Sequence, residues 1–283
     1  MYAITGITGK VGGVAASTLL DAGAKVRAVL RDPGKAGTWK ARGAEIAFAD
    51  FDSVTALTEA FTGAEAVFIL LPPTFDPSPN FAEARATIAN IRAALEAARP
   101  AKVVCLSTIG ADAEPVNLLS QLSLLETALG SLPTPVAFLR AGWFIDNAAW
   151  DVEPARLTGV IPSFLQPLDR AVPMVSTLDV GRTAAALLRQ DWTGKRIVNL
   201  EGPRRICPND IAAAFGRLLD KPVKAAVVAR GEWEELFRAQ GMRNPTPRMR
   251  MLDGFNEGWI DFKAETVKGT VELEDALRQV VQN

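Results

Sequence analysis

The sequence predicts an α/β protein with a doubly wound parallel sheet and a smaller mixed α/β part toward the carboxyl end. Short apolar runs alternate with helical patterns through six expected strands, which is typical of parallel βαβ units. One of these runs, 66–71, is apolar at every position, as expected of a strand that is buried on both faces. We place the larger domain in residues 1–150, and we expect residues 151–283 to pack on it as a substrate-binding lid.

A glycine-rich turn after the first expected strand supports this fold class. An apolar stripe of helical spacing follows the turn, and a second strand-like run follows at 24–30. Glycines in this context let the backbone and a helix N-terminus approach a dinucleotide pyrophosphate. The spacing Gly-x-x-Gly-x-x-Gly differs from the usual Gly-x-Gly-x-x-Gly, and a plain strand-to-helix turn is the alternative. We predict a Rossmann-type cofactor site formed by Gly6, Thr8, Gly9, Lys10, Val11 and Gly12.

Charged residues after the second and third expected strands indicate which dinucleotide binds. Arg31 and Lys35 follow the glycines at the distance where an arginine accommodates the 2′-phosphate of NADP. We therefore predict NADP(H) rather than NAD(H), although Asp32 keeps NAD(H) open because a carboxylate there would bond a ribose diol. We expect Asp50 to bond the adenine amino group and Phe51 to flank the ring.

The remaining candidates follow the fourth, fifth and sixth strands. Ligands of an open α/β sheet collect outside the carboxyl ends of its strands. We expect cofactor contacts from Leu71, Pro72, Thr108 and Gly142, and substrate contacts from Phe75, Trp143 and Phe144.

Several residue types that catalysis often uses are missing. The chain has no histidine and one tyrosine, Tyr2, and no lysine lies between Lys102 and Lys195. A histidine general base, the commonest kind, is therefore excluded, and so is a Tyr-x-x-x-Lys pair in the middle of the chain. We assign no catalytic residue. Cys105 and Cys207 form neither a disulfide framework nor a closely spaced metal pair, so no metal site is predicted.

The net charge and the hydropathy of the chain limit the kinds of partner that we expect it to bind. A formal net charge of −1 gives no electrostatic case for nucleic acid or an anionic membrane. No apolar run reaches the length of a membrane span, and the amino terminus lacks the features of a secretory signal. We expect a cytoplasmic protein that acts on a small molecule.

The chain resembles the NmrA-like family of atypical short-chain dehydrogenases. The stretch 5–12 looks like its cofactor loop, and Arg31-Asp32-Pro33-x-Lys35 looks like its 2′-phosphate site. Glu126-x-x-Leu129-x-Ser131-Leu132-Pro133 and Leu139-Arg140-Ala141-Gly142-x-Phe144-x-x-Asn147 resemble the segments around its sixth strand. The likeness covers nearly the whole chain and implies a Rossmann fold of the quinone-reductase and triphenylmethane-reductase branch.

The chain departs from this family at three positions. Leu118 and Leu122 occupy the apparent positions of the tyrosine and lysine pair of the wider dehydrogenase family, and many NmrA-like members keep the lysine that Leu122 replaces. Ala141 stands where proline commonly follows the arginine that matches Arg140. Ketone reduction that depends on a placed proton donor is therefore disfavoured.

Two functions remain. The first is an NADPH-dependent reductase that transfers hydride to a quinone or a similar flat conjugated electrophile, because solvent can complete the protonation of such products. The alternative is a non-catalytic NADP(H)-sensing regulator that acts through a protein partner. A sugar-nucleotide epimerase is a weaker third reading, because the required tyrosine is missing.

The carboxyl part is predicted to hold helices at 177–189, 208–219, 231–240 and 271–281, with strands at 196–200 and 223–228. Its segment 243–250, which mixes arginines with prolines and a methionine, is expected to be a solvated face. Phe255 and Trp259 are candidates for closing over a substrate.

Overall fold

The structure, a computed structural model, describes residues 1–282, and an eight-stranded sheet forms its centre. The strands are β1 (Tyr2–Ile4), β2 (Val26–Leu30), β3 (Glu45–Phe48), β4 (Ala66–Ile69), β5 (Lys102–Thr108), β6 (Val136–Ala141), β7 (Trp143–Phe144), β8 (Val160–Ser163), β9 (Met174–Val175), β10 (Lys195–Glu201), β11 (Lys224–Val227) and β12 (Val267–Lys268). The order across the main sheet is β12-β10-β6-β5-β4-β1-β2-β3, and each neighbouring pair is parallel.

The strand order confirms the predicted doubly wound sheet. The run β3-β2-β1-β4-β5-β6 is the order of dinucleotide-binding folds, with its reversal between β1 and β4. All four residues of β4 are buried, as their apolar character predicts.

Helices cover both faces of the sheet. The helices are α1 (Lys10–Asp21), α2 (Ala36–Ala41), α3 (Val54–Phe61), α4 (Ala82–Ala98), α5 (Ser120–Gly130), α6 (Val152–Thr158), α7 (Thr177–Leu188), α8 (Pro208–Leu219), α9 (Trp233–Ala239), α10 (Thr246–Glu257) and α11 (Leu273–Gln282). One apolar core lies under α1, α2 and α7, and another lies under α3, α4 and α5. Helices α1 and α7 pack closely because Gly181 has no side chain: a Cβ there would stand only 2.5 Å from Val14 Cβ.

A third core fills the carboxyl part. It gathers side chains from α6, α8, α9, α10 and α11, with Trp233, Phe237 and Phe215 among its fully buried members. Two small parallel pairs, β8 with β11 and β7 with β9, border this core. The helices and strands predicted for this part are confirmed to within about two residues at their main bounds. Helix α10, which the sequence pattern did not predict, is an addition.

The carboxyl part also contributes to the main sheet, through β10 and β12. Asp179 of α7, a buried residue, fastens this region, since its Oδ2 accepts from the N–H groups of Thr270 and Val271, each over 2.9 Å. The division of the chain at residue 150 stays a prediction. No helix within residues 1–282 combines the length and the apolar character that crossing a membrane requires.

Candidate functional site

The glycine turn lies where the strand order reverses. Thr5, directly after β1, joins β1 to β4 there: its Oγ1 donates to the Phe68 carbonyl over 2.9 Å and accepts from the Leu70 N–H over 3.0 Å. The crevice at such a reversal is where open α/β sheets bind their ligands. Thr5 is not among the predicted site residues, although its place directly before the first glycine is a sequence signal for this role.

The glycines of the turn allow contacts that a side chain would prevent. Gly6 has a φ of 61°, in the left-handed region, and Gly9 is the N-cap of α1 without a side-chain bond. A Cβ on Gly12 would stand 2.4 Å from the Gly6 carbonyl oxygen. Because no side chain caps α1, its first N–H groups are suited to an anionic ligand. The turn therefore fits a dinucleotide pyrophosphate.

Lys10 and Asp146 connect this turn to α7. The Lys10 ammonium lies 3.6 Å from Asp146 Oδ1. Asp146 in turn accepts from the N–H of Thr177 over 2.9 Å and from its hydroxyl over 2.6 Å, at the first residue of α7. Asp146 therefore holds the start of α7 near the glycine turn, a role that the sequence alone did not assign.

Several predicted cofactor residues line one groove of about 710 Å³. Thr8, Gly9 and Lys10 line it together with Lys35 and with Trp39 of α2. Val11 is buried in the core beneath. A groove that combines the glycine turn with Lys35 suits a phosphorylated ligand.

The charged residues after β2 and β3 divide into two groups. Arg31 is 81% exposed, and its Nε lies 3.9 Å from Asp50 Oδ2, so the two strand ends meet. Asp32 accepts from the Gly34 N–H over 2.9 Å and thereby caps the short turn Pro33–Lys35. The Asp32 carboxylate thus already has a structural partner. Phe51 is half-buried against the core under α3 and α4.

The loop after β4 is held against the carboxyl part. Asp76 accepts from the backbone N–H groups of Arg243 and Asn244, over 3.0 and 2.7 Å. These bonds keep the pKa of Asp76 below its usual value. Leu71, at the start of the loop, is buried, Pro72 is exposed, and Phe75 is 53% exposed. The aromatic ring of Phe75 therefore lies at an outer surface of the loop.

The predicted residues after β5 and β6 face two different cores. Trp143 contacts Phe255 edge to face, with ring centroids 5.2 Å apart, in the core of the carboxyl part. Phe144 packs instead against the core under α1 and α7. A Cβ on Gly142 would stand 2.8 Å from the Pro173 carbonyl oxygen, so Gly142 serves close backbone packing. Thr108, the last residue of β5, is half-buried.

A buried ion pair lies beside Thr108. Arg140 of β6 donates from Nε and one terminal nitrogen to the two oxygens of Glu126, over 2.9 and 2.7 Å, and from the other nitrogen to Asp112 over 2.9 Å. The Ser107 hydroxyl also donates to Glu126 over 2.5 Å. The hydrogen bonds that Arg140 donates to Glu126 raise the pKa of its guanidinium. The network ties the carboxyl ends of β5 and β6 to α5.

No tyrosine and lysine pair reaches this region. Leu118 is buried in the core of the carboxyl part, and Leu122 is half-buried on α5. Tyr2 lies at the amino end of β1, on the edge opposite the strand ends, where its hydroxyl donates to Glu65 over 3.3 Å. Within residues 1–282 no group of histidine, cysteine or acidic residues has the arrangement of a metal site.

One carboxyl group in the described chain has a pKa near neutrality. Burial raises the pKa of Asp151 to about 7. Asp151 ends the short helical segment Ile145–Asp151, on which α11 packs. Because its pKa in the folded chain exceeds the unfolded value, its contribution to stability is full below about pH 4 and is lost as pH rises through about 7.

Asp151→Asn is therefore expected to raise the free energy of unfolding by about 2–4 kcal/mol at about pH 8, and to change it little at about pH 3, below the pKa of the unfolded chain. Burying the ionised carboxylate costs free energy at the higher pH, and the amide removes that cost. Urea unfolding at both pH values measures the difference, with exposed Asp52→Asn as control. Equal shifts at the two pH values would contradict the pKa of Asp151.

Solved structures share this fold along the whole chain. An NADPH-dependent quinone oxidoreductase of Escherichia coli, solved with NADPH, superposes with a TM-score of 0.83 at 21% identity, over 99% of both chains. The triphenylmethane reductase of Citrobacter sp. superposes with a TM-score of 0.80 at 19% identity, over 100% of this chain and 99% of the other. The predicted resemblance to these reductases is confirmed at the level of the fold.

Curated relatives are similar in sequence over most of the chain. A (4-alkanoyl-5-oxo-2,5-dihydrofuran-3-yl)methyl phosphate reductase of Streptomyces griseus is 28% identical, over 79% of this chain and 76% of that protein. An NAD(P)H azoreductase of Xenophilus azovorans is 24% identical, over 86% of this chain and 82% of that protein.

The match that identifies the family spans both the glycine turn and the ion pair beside Thr108. A family model described as NAD(P)H-binding matches residues 6–191, which is more than half of the chain. With the glycine turn at the strand reversal, this match shows that the chain belongs to the NAD(P)H-binding family.

Proposed function

We propose that the chain is an NADPH-dependent reductase that transfers hydride to a quinone or another flat conjugated electrophile. The glycine turn at the β1/β4 reversal carries the proposal. A Cβ added at Gly12 would stand 2.4 Å from the Gly6 carbonyl oxygen, so only glycine fits this tight turn, and such a turn suits a dinucleotide pyrophosphate. Gly6, Gly9 and Gly12 would hold that pyrophosphate, with Arg31 and Lys35 at the 2′-phosphate. The bound cofactor supplies the hydride.

The relatives support an electrophile of this class. A quinone has conjugated carbonyls, an azo compound has a nitrogen–nitrogen double bond, and the dihydrofuranone has a ring alkene beside two carbonyl groups. Hydride adds to each of these π systems, the electron pair delocalises, and a proton from solvent completes the product. Leu118 and Leu122, where a proton donor pair would stand, are compatible with such chemistry.

Aromatic residues supply the binding surface in this proposal. Trp143, in edge contact with Phe255, offers an apolar wall beyond β6, and Phe75 lies at the rim of the loop after β4. The two bonds from the 243–244 backbone to Asp76 join the loop that carries Phe75 to the carboxyl part of the chain. A flat ring would be oriented against that wall, and Phe144, which packs against the core under α1 and α7, would border the site on its other side.

Turnover tests the proposal directly. Anaerobic oxidation of NADPH, and separately of NADH, is followed with 2-methyl-1,4-naphthoquinone, an azo dye, a triphenylmethane dye and acetophenone as acceptors. We expect turnover with one or more conjugated acceptors, none with the simple ketone, and preference for NADPH. NADPH deuterated at the transferred position should slow the chemical step.

The alternative function, a non-catalytic regulator that senses NADP(H) and acts through a protein partner, predicts a different result. Calorimetry would then show NADPH and NADP⁺ binding with unequal affinity, while every acceptor remained unreduced. The leucines at 118 and 122 are the observation in its favour. An absence of turnover across the whole panel would overturn the reductase proposal.

A further inference from the structure

Arg248 differs from the other shielded arginines in the described chain. Its guanidinium is partly buried, with its centre 4.4 Å from the ring centre of Phe237 and one nitrogen 3.7 Å from the sulfur of Met242. No carboxylate of residues 1–282 lies within ion-pair distance of it. Burial lowers the pKa of Arg248, but a guanidinium stays charged at neutral pH.

The contrast with similar arginines makes this arrangement significant. Among the described arginines that are not fully exposed, each of the others has a carboxylate within 4 Å. These pairs are Arg27 with Glu45, Arg92 with Glu96, Arg140 with Glu126, and Arg250 with Asp253. A partly desolvated cation without a counter-ion is costly. The predicted solvated face at 243–250 is therefore corrected at Arg248, since neighbouring side chains shield it.

The position of Arg248 relates it to the candidate site. It lies in the first turn of α10, and the carbonyl of the preceding residue, Pro247, accepts from the Leu118 N–H over 2.9 Å beyond the end of β5. Phe255, seven residues later on the same side of α10, contacts Trp143 beyond β6. Seven residues of helix span about 10 Å. Arg248 and the Phe255 that contacts Trp143 thus lie about 10 Å apart along one side of α10.

We infer that Arg248 binds an anionic group, a phosphate, sulfonate or carboxylate, that the reduced electrophile carries at the end remote from its reacting ring. This inference rests on the proposed reductase function. The planar fork of the guanidinium offers two parallel N–H donors to such a group, and the ring of Phe237 and the sulfur of Met242 leave those donors without an oxygen acceptor. The anion supplies the missing counter-charge.

Binding of a non-reducible probe tests the inference without turnover. The NADP⁺-loaded protein is titrated calorimetrically with 2-naphthalenesulfonate and with 2-naphthalenesulfonamide, which has a similar shape and no charge. We expect wild type to bind the sulfonate at least tenfold more tightly. Arg248→Met should abolish this preference, Arg248→Lys should keep part of it, and Arg250→Met, on the same helix, should keep all of it.

The outcomes separate this inference from the proposed function. A wild type that does not prefer the sulfonate, or an Arg248→Met variant that retains the preference, overturns the inference even if quinones are reduced. Weaker NADP⁺ binding in Arg248→Met, in proportion to the sulfonate loss, would assign the cation to the cofactor and also overturn it. If no acceptor of the panel were reduced but wild type still preferred the sulfonate, the reductase proposal would be rejected and the anion site would stand. Thermal melts establish whether each variant is folded. If Arg248→Met does not fold, the results for wild type and for Arg248→Lys decide the question.

Discussion

Gly12→Ala is expected to lower the affinity for NADPH at least a hundredfold. The added Cβ would stand 2.4 Å from the Gly6 carbonyl oxygen, 2.7 Å from its carbon and 3.0 Å from the Ile7 nitrogen. All three are backbone atoms, so no side chain can move aside. The turn must shift away from α1, and the N–H groups that would hold the pyrophosphate shift with it.

The same substitution should cost about 1–3 kcal/mol of folding stability, because it overpacks a closely fitted contact. A hundredfold loss of affinity corresponds to about 2.7 kcal/mol, so the two measurements have similar size and different origin. Calorimetric titration with NADPH reports the first, and urea unfolding without cofactor reports the second.

Gly37→Ala is the matched control for this prediction. Gly37 lies inside α2, and a Cβ there would meet no atom within 4 Å. We expect unchanged NADPH binding and a gain of up to about 1 kcal/mol in stability, since alanine restricts the unfolded chain. Tight NADPH binding by Gly12→Ala would show that the turn does not hold the cofactor as proposed.

The frame of the fold was predictable because its signals are local. Each of the first six strands is a short apolar run between helices, and β4 is apolar throughout because both of its faces are buried. The glycine turn was equally clear, since its spacing and the strand before it are contiguous in the chain. The start of α3 is set just as locally, because Ser53 is its N-cap and accepts from the Ala56 N–H.

The contacts that complete the site were not predictable, because they join distant segments. Asp76 meets the backbone at 243–244 across more than 160 positions, and spacing carries no trace of such a pair. Helix α10 lacked a helical signal because Gly254 interrupts it. That glycine is required where a Cβ would stand 2.6 Å from Ile260. The surroundings of Arg248 could not be predicted either, because only the packing of α10 brings its guanidinium over the ring of Phe237.

The motif around Arg140 was recognised, but its physical role was not. Glu126 and Arg140 stood fourteen residues apart as family markers, and the structure shows them as a two-point ion pair. Their side chains are 12% and 11% exposed, so solvent screens the pair little. This burial makes the pair the second position where a large effect is expected.

Glu126→Ala is expected to lower the free energy of unfolding by about 3–5 kcal/mol. The substitution removes both bonds to Arg140 and the acceptor of the Ser107 hydroxyl, and leaves the guanidinium with Asp112 alone. The main cost is a buried guanidinium that has lost its two-point partner, because the bond to the more exposed Asp112 compensates only part of its desolvation. Urea unfolding at neutral pH measures the change.

Glu234→Ala provides the matched control. Glu234 pairs with Arg238 through the same two kinds of nitrogen, Nε at 3.1 Å and a terminal nitrogen at 2.9 Å. Both side chains are more than half exposed, so this pair should contribute less than about 1 kcal/mol. If the two alanine variants lost similar stability, burial would not be what makes the Glu126 pair important.

A double substitution identifies the source of the cost. If the unpaired guanidinium dominates, Glu126→Leu with Arg140→Met should recover most of the stability that Glu126→Ala loses, because apolar residues of similar volume can replace a buried ion pair. If the lost acceptor of Ser107 dominates, the double variant should stay as unstable as the single one. Activity gives an independent readout: the pair fixes the ends of β5 and β6 beside Thr108, so a stable double variant with a lowered kcat and unchanged NADPH affinity would show that the network positions the reacting end of the site.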